Sequence, residues 1–127
     1  LCEKYIKGAK GDCYIGGLGI GLVIDYLLID GNTKTITIGA NNIDVINLVK
    51  DQYKLFSNVS IIKGDARYNF CNKKYDFMYW DIWDDLNDKA LKTIQLCKIN
   101  GKKFLKPNGI MRFWGEDEIK NTKVWST

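Results

Sequence analysis

Three glycines near the start of the chain are spaced so that the backbone can approach a bound molecule. Gly17, Gly19 and Gly21 lie in the stretch GDCYIGGLGIGLVIDYLL, residues 11 to 28. A Cβ at such positions would block the approach or the dihedrals that the turn needs. A glycine-rich turn between an apolar strand and a helix is typical of nucleotide-like ligand sites. The same spacing also occurs in simple tight turns, so its meaning depends on the rest of the chain.

Carboxylates are the other residues that could do chemistry. Asp65 follows one apolar segment, and an acidic group that begins at Asp81 follows another. The sequence contains no histidine, which excludes Ser-His and Cys-His nucleophiles. Acid or base chemistry therefore falls to carboxylates, tyrosines, lysines or the backbone.

The cysteines do not form a metal-binding pattern. Cys2, Cys13, Cys71 and Cys97 are widely spaced, without a CxxC pair and without histidine to complete a zinc set. We interpret them as reduced thiols that mostly fill the core. The sequence thus predicts no metal site.

Composition and charge exclude several classes of protein. A chain of 127 residues with 46% hydrophobic and 27% charged residues is expected to form a single domain, residues 1–127. The net charge of +4 comes almost wholly from lysine, which argues against a dedicated nucleic-acid binder, since base recognition favours arginine. The apolar run from Ile20 to Ile29 is too short for a membrane span, and no signal peptide is evident, so a cytoplasmic location is the default. Four late lysines are expected on a solvated face: Lys98, Lys102, Lys103 and Lys106.

Strand and helix patterns alternate along the whole chain. Predicted strands cover about Asp12–Ile15, Thr35–Ile38, Val59–Ile62, Asp76–Trp80 and Ile110–Trp114, the last of them after a turn at Pro107 to Gly109. Predicted helices cover about Leu22–Ile29, Ile43–Phe56 and Asn87–Ile99. Asn41 or Asn42 can cap the second helix, which would bury Ile43, Ile46, Val49, Tyr53 and Phe56.

This alternation predicts an α/β fold, a doubly wound and mostly parallel sheet with helices on both faces. The ligand of such a sheet lies at the carboxyl edge, where the strand order reverses. The candidate site is therefore formed by the residues that follow each strand: Gly16 to Gly21, Gly39 to Asn42, Gly64 to Arg67, and Asp81 to Asp85.

Four motifs in order along the chain resemble those of class I S-adenosylmethionine-dependent methyltransferases, and of their spermidine synthase-like branch in particular. The GxGxG turn is matched by Gly17, Gly19 and Gly21, GDA by Gly64 to Ala66, YDxxxxDxxD by Tyr75, Asp76, Asp81 and Asp84, and LKPxG by Leu105 to Gly109. The resemblance covers residues 11 to 114. It implies a Rossmann-like methyltransferase fold with about five strands in the order 3-2-1-4-5.

The resemblance also implies roles for the cofactor-binding residues. The glycine turn would pass under the methionine part of S-adenosylmethionine. Asp65 would accept a hydrogen bond from the adenine amino group, with the Ala66 amide as the neighbouring donor. Asp81 and Asp84 would hold the cationic tail of the ligand.

Asp81 is the predicted catalytic residue, assisted by Asp84 or Tyr79. It would position or deprotonate a small amine or hydroxyl acceptor. An alternative for the acidic group is capping of the following helix. Trp80 and Trp83 could stack on adenine or on a cation, or could belong to the core or to a subunit interface.

The chain departs from the family after the second strand. Ala40 stands where the family has a carboxylate that binds both ribose hydroxyls, and Asn41 or Asn42 would supply weaker hydrogen bonds. The given sequence stops soon after the fifth strand, so we expect a truncated C-terminal hairpin and no counterpart of the N-terminal β domain of spermidine synthases. An open sheet edge beside the fifth strand predicts a homo-oligomer, most simply a dimer.

Three functions remain open at this point. The first is a transferase for methyl or aminopropyl groups that uses S-adenosylmethionine, or its decarboxylated form, on a small-molecule acceptor, with methylthioadenosine as a further expected ligand. The second is a non-catalytic or regulatory relative, which Ala40 favours. The third is cleavage of S-adenosylmethionine without an acceptor. Nucleic-acid methylation is less favoured, because the fourth strand ends in Asp81, Ile82 and Trp83 rather than in an amino-methyltransferase motif.

Overall fold

The computed structural model of the protein describes residues 6–17, 21–82 and 87–115. Within these residues, strands and helices alternate as the sequence predicts. In chain order they are β1 (Gly11–Gly17), α1 (Gly21–Asp30), β2 (Thr33–Ala40), α2 (Ile43–Gln52), β3 (Val59–Lys63), β4 (Tyr75–Asp81), α3 (Asp88–Lys102) and β5 (Leu105–Phe113).

The strands form one parallel sheet in the order β3-β2-β1-β4-β5. This confirms the predicted doubly wound fold and its 3-2-1-4-5 order. From β1, the chain moves outwards on one side through β2 and β3, and on the other side through β4 and β5. The switch point therefore lies between β1 and β4, and doubly wound sheets have their ligand-binding crevice at such a point, at the carboxyl ends of the strands.

Each face of the sheet has its own core, because successive side chains of a strand point to opposite faces. The first core cluster contains Cys13, Ile15, Phe77 and Tyr79 of the strands, together with buried residues of α1 and α2. The second contains Tyr14, Met78 and Trp80, packed against α3 and the loop after β3. The three central strands β1, β2 and β4 are thus buried on both faces, as their apolar runs predict, whereas the edge strands β3 and β5 are mostly half-buried.

Helix α2 begins where the sequence predicts but ends earlier. Asn42 caps its N-terminus, since its side-chain oxygen accepts hydrogen bonds from the amides of Asp44 and Val45. The helix ends at Gln52 rather than at residue 56. Two of its predicted core residues are exposed, Ile43 by 53% and Phe56 by 44%, whereas Ile46, Val49 and Tyr53 are buried.

The predicted turn at residues 107 to 109 lies inside β5 rather than before it. Leu105 pairs with Tyr75, and the next pair joins Ile110 to Phe77, so the intervening residues form an irregularity in the strand. Asn108 adopts a φ of 67°, a left-handed conformation that asparagine tolerates better than most residues. The strand therefore starts five residues earlier than expected.

The irregularity brings Lys106 to an ionic cluster at the amino edge of the sheet. Its Nζ lies 2.9 Å from Asp12 Oδ2 and 3.1 Å from Asp76 Oδ2, so this lysine does not belong to the predicted solvated face. Asp12 Oδ1 also accepts a hydrogen bond of 2.6 Å from the Thr35 hydroxyl. Asp76 Oδ2 accepts a further one from the Asp12 amide. These contacts join β1, β2, β4 and β5 at the edge opposite the crevice.

The described cysteines are free, as predicted. Cys13 and Cys97 are fully buried, and burial raises the pKa of each thiol to about 12. They are core residues and poor nucleophiles. No helix among the described residues has the length and apolar character that crossing a membrane requires.

Replacement of Asp12 by asparagine should destabilise the protein at neutral pH. The hydrogen bond from Thr35, followed by that from Lys106, lowers the pKa of Asp12 from 3.8 to about 2. A carboxyl with a lowered pKa stabilises the fold above its unfolded-state pKa, and this stabilisation is lost as the pH falls from about 4 through 2. We expect Asp12→Asn to cost about 1–2 kcal/mol at pH 7 in urea unfolding, and much less near pH 2.

Asp51→Asn is the matched control. Asp51 pairs with Lys54 on the surface at 3.5 Å, and its side chain is 79% exposed. Its loss should change the free energy of unfolding by less than about 0.5 kcal/mol. Equal effects of the two substitutions at pH 7 would contradict a stabilising role for the ionic cluster.

Candidate functional site

The first glycine of the turn, Gly17, lies so close to neighbouring atoms at the carboxyl edge that no side chain fits there. Gly17 pairs with Asp81 across β1 and β4, and its φ is +112°. A Cβ at Gly17 would overlap the Asp81 carbonyl and the Ile82 side chain. The end of β1 therefore passes directly beside the end of β4. Gly21 is the first residue of α1, and Gly19 lies outside the described residues.

The loop after β3 is fixed by hydrogen bonds from the core. The Trp80 indole Nε1 donates to the Ala66 carbonyl oxygen at 2.8 Å. The Tyr14 hydroxyl lies 3.2 Å from both the Ala66 and the Asn69 carbonyl oxygens and shares its hydrogen between them. Buried carbonyl groups are thus satisfied by side chains of β1 and β4. This holds Asp65, the residue before Ala66, at the edge of the crevice.

Two further glycines make room for these aromatic side chains. A Cβ at Gly39 would collide with the Tyr14 hydroxyl, and a Cβ at Gly16 would come within 2.6 Å of the Trp80 ring. Both Tyr14 and Trp80 are fully buried. Trp80 is therefore a core residue, and of the two alternatives for it, stacking on a ligand is excluded. Trp83 lies outside the described residues.

Asp65 forms an ion pair with Arg67. The Arg67 Nε and Nη2 lie 2.9 Å and 2.6 Å from Asp65 Oδ1 and Oδ2, and the Arg67 amide donates to Oδ1 at 3.0 Å. These hydrogen bonds hold the pKa of Asp65 below its usual value. Asp65 is thus an ionised acceptor, as its predicted role requires, and its side chain remains 38% exposed.

The end of β2 carries no acidic side chain. Ala40 is buried, and its carbonyl accepts a hydrogen bond from the Gly64 amide at 3.0 Å. Asn41 and Asn42 are exposed at the same edge. Because the Asn42 oxygen is occupied by the cap of α2, its side chain has only its NH₂ group to offer a ligand. A ribose at this position would meet amide groups instead of a carboxylate.

Two of the predicted catalytic residues, Asp81 and Tyr79, are described by the structure. Asp81 is the last residue of β4 and is partly exposed beside Gly17. Tyr79, which was expected to assist it, is 1% exposed and lies in the first core cluster. Two residues along a strand span about 7 Å, which keeps Tyr79 below the edge. Asp84 lies outside the described residues, as does Asp85, so capping by this group is not tested.

Several solved methyltransferases share this fold. A protein from Thermoplasma acidophilum assigned as a methyltransferase has a TM-score of 0.63 and 23% identity over 85% of this chain and 46% of its own. The N-methyltransferase NodS from Bradyrhizobium japonicum has a TM-score of 0.62 and 18% identity, covering 86% and 60%. The glycopeptide N-methyltransferase MtfA, solved with S-adenosylmethionine, has a TM-score of 0.64 and 11% identity, covering 83% and 47%. The chain has the fold of the S-adenosylmethionine-dependent methyltransferases.

The chain spans about half the length of these methyltransferases. No protein-family model and no curated protein matches its sequence.

Within this methyltransferase fold, one resemblance motif is split between opposite edges of the sheet, and another has its lysine at the amino edge. Asp76 belongs to the ionic cluster at the amino edge, whereas Asp81 is at the carboxyl edge, about 17 Å away along an extended strand. Tyr75 is buried and donates to the Phe70 carbonyl at 2.8 Å. Lys106 of the LKPxG motif also lies at the amino edge. Tyr75, Asp76 and Lys106 thus make contacts within the sheet and its loops and lie away from the candidate site. Nothing among the structural neighbours indicates the spermidine synthase-like branch.

Sequence reasoning missed Tyr14 as a residue that builds the site, and it placed Arg67 at the site by position without a role. Tyr14 is a polar side chain in an otherwise apolar strand, which was the available signal, but its partners are more than 50 residues away. Arg67 is one of two arginines in the chain and follows the GDA motif closely. Among the described residues, no cluster of potential metal ligands is present.

Tyr14→Phe should loosen the loop that carries Asp65. The substitution keeps the ring but removes the hydroxyl that serves two carbonyl groups, and we expect a loss of about 1–2 kcal/mol in the free energy of unfolding. Urea unfolding measures this loss. Hydrogen exchange of the amides of residues 65 to 70 should also become faster than in the wild type. Tyr68→Phe, at a ring that is 51% exposed, is the control, and an equal effect of both would contradict the role of Tyr14.

Proposed function

We propose that the protein binds S-adenosylmethionine in the crevice between β1 and β4 and transfers its methyl group to a small amine or hydroxyl acceptor. The observation that carries this proposal is the position of Gly17, whose backbone passes beside Asp81 at the switch point of the sheet. The structural neighbours support it, since MtfA was solved with S-adenosylmethionine and NodS also with S-adenosylhomocysteine.

The described residues fit an adenine-bearing ligand with a cationic tail. Asp65 is an ionised acceptor suited to the adenine amino group, and the Ala66 amide is its proposed neighbouring donor. Asp81 would face the positive charge of the tail. Gly17, together with Gly19 and Gly21, would provide the close backbone approach. The ribose would have the weakest hydrogen-bond partners in this chain, because Ala40 stands where the methyltransferases have a carboxylate.

For methyl transfer, the protein needs to align the acceptor with the methyl group and to remove a proton from the acceptor. When bound, S-adenosylmethionine supplies a methyl group on a positively charged sulfur, which is already a good leaving group. Asp81 would orient the acceptor in line and accept its proton. We assign Asp84 a supporting role next to Asp81 and no longer assign one to Tyr79, because Tyr79 is buried in the core.

A second candidate function is binding of the nucleoside without turnover. The observation that favours it is Ala40, which replaces a carboxylate that would bind both ribose hydroxyls. Aminopropyl transfer from decarboxylated S-adenosylmethionine and cleavage without an acceptor are further alternatives. Their products differ, so they are separated by the assays below. We also propose a homo-oligomer in the cytoplasm, for which light scattering is the test of assembly.

Calorimetry with S-adenosylmethionine, S-adenosylhomocysteine and methylthioadenosine tests the proposed site. We expect binding of at least one ligand, and Asp65→Asn should weaken it by about tenfold, since it removes a charge-assisted hydrogen bond. Asp88→Asn, at an exposed residue on α3, is the control for the loss of a carboxylate. The absence of binding by all three ligands at millimolar concentration would contradict the proposal.

Product analysis then separates the candidate reactions. With a panel of small amines and alcohols, methylated product that disappears in Asp81→Asn would support methyl transfer by Asp81. Aminopropylated product would instead indicate aminopropyl transfer. Methylthioadenosine formed without an acceptor would indicate cleavage of S-adenosylmethionine. Binding without any product would favour the non-catalytic candidate.

Ala40→Glu should strengthen nucleoside binding if the ribose lies at the end of β2. A carboxylate there can accept from both ribose hydroxyls, which we expect to lower the dissociation constant by about tenfold. Ala40→Gln is the neutral control of the same shape, and Ala40→Asp is a shorter variant in case the buried position does not admit glutamate. Thermal unfolding of each variant checks that the fold is kept. Equal affinities of Ala40→Glu and Ala40→Gln would contradict this placement of the ribose.

A further inference from the structure

The Arg67 side chain holds the Asp65 carboxylate in one orientation. Two of its nitrogen atoms, Nε and Nη2, face the two carboxylate oxygens in a side-on fork, and Nε also lies 3.2 Å from Oδ2. The Arg67 amide adds a hydrogen bond to Oδ1. A planar guanidinium fixes the plane of a carboxylate, which a lysine ammonium does not do.

Arg67 is itself held in place from several sides. Its carbonyl accepts a hydrogen bond from Asn100 Nδ2 of α3 at 3.2 Å. Its guanidinium lies over the Tyr68 ring, 5.3 Å from the ring centroid. The Asp65 carbonyl accepts from the amides of Tyr68 and Asn69. The backbone of both residues of the ion pair is therefore held in place by hydrogen bonds, which fixes the position of the Arg67 guanidinium relative to Asp65.

The contacts of Asp65 leave one direction for a further donor. A carboxylate offers about four acceptor directions. The single Nε hydrogen of Arg67 is shared between the two oxygens, at 2.9 Å from Nε to Oδ1 and 3.2 Å to Oδ2; Oδ1 also accepts from the Arg67 amide, and Oδ2 also accepts from Nη2. The remaining direction on Oδ2 is available in a side chain that is 38% exposed. An ionised carboxylate can only accept hydrogen bonds there, so it favours a donor group on the ligand.

We propose that Arg67 is a positioning residue for base recognition: it orients Asp65 so that the open direction of Oδ2 receives the amino group of adenine. This inference rests on the proposed function and adds the residue that determines preference for a 6-amino over a 6-oxo purine. Without Arg67, the carboxylate of Asp65 would rotate freely, and the preference would weaken while the ligand could still enter the crevice.

Methylthioadenosine and methylthioinosine are suitable probes, because both are uncharged and differ only at C6 and at N1 of the base, where the 6-oxo purine carries a hydrogen. Their affinities are measured by calorimetry for the wild type, Arg67→Ala and Arg67→Lys. We expect the wild type to prefer methylthioadenosine by about tenfold or more, and Arg67→Ala to reduce that ratio by about fivefold or more. Arg67→Lys keeps the charge but lacks the fork, so it should recover only part of the ratio.

Two controls separate positioning from charge and from folding. Lys89→Ala removes an exposed positive charge from α3 and should leave the ratio unchanged. Asp65→Asn should lower the ratio, and Arg67→Ala should then have little further effect in the double variant, because the two residues act as one unit. Thermal unfolding of each variant verifies that the fold is retained, and Arg67→Gln replaces Arg67→Ala if the latter fails to fold.

The outcomes distinguish this inference from the proposed function. If the wild type binds neither nucleoside, the proposed function fails and the inference fails with it. If the wild type binds but Arg67→Ala weakens both ligands equally, Arg67 has only a structural role and the inference alone is overturned. If Arg67→Ala binds both ligands more tightly than the wild type does, Arg67 blocks access to Asp65. This result would also overturn the inference.

Discussion

The carbonyl group of Ala66 is the point on which the candidate site depends. It accepts a hydrogen bond from the Trp80 indole and shares that of the Tyr14 hydroxyl. Trp80 belongs to β4 and Tyr14 to β1, the two strands that border the crevice, and Ala66 belongs to the loop after β3. A buried carbonyl without a partner would cost about 1–3 kcal/mol. The satisfaction of this one group therefore ties together three of the segments that a ligand would contact.

The two edges of the sheet carry different chemistry. At the amino edge, Asp12, Asp76 and Lys106 satisfy one another and join four strands. At the carboxyl edge, Asp81 and Asp65 are partly exposed, and the backbone turns at Gly17. In doubly wound sheets, ligands bind at the carboxyl ends of the strands. The stabilising charges are thus kept away from the edge where binding is proposed.

A nucleoside at this edge would find stronger hydrogen-bond partners for its base than for its ribose. The base side has Asp65, fixed by Arg67, whereas the ribose side has Ala40 followed by two asparagines. In the proposed nucleoside site, specificity for the base and affinity for the sugar would therefore be separate properties. A protein that recognises adenine well but holds the ribose weakly can release its ligand readily, and this bears on both proposed functions.

Local sequence predicts features that depend on neighbouring residues. The alternation of strands and helices, the cap at Asn42 and the order of the strands all follow from apolar runs, capping residues and the right-handedness of crossovers. The glycine turn and the GDA tripeptide also locate the edge at which the site lies. The resemblance to methyltransferases adds the fold, which the structural neighbours share.

Contacts between distant residues were decided by the tertiary structure. Tyr79 and Trp80 lie next to Asp81 in the sequence, but burial on the two faces of β4 removes both from the edge. The sequence pattern predicts a solvated position for Lys106. In the structure, the irregularity of β5 brings it to Asp12, which is 94 residues away along the chain. The sequence by itself determined the topology and the edge where a ligand would bind, because these depend on local patterns. The tertiary structure decided which side chains reach that edge, because reaching it depends on register and on packing between strands that are far apart along the chain.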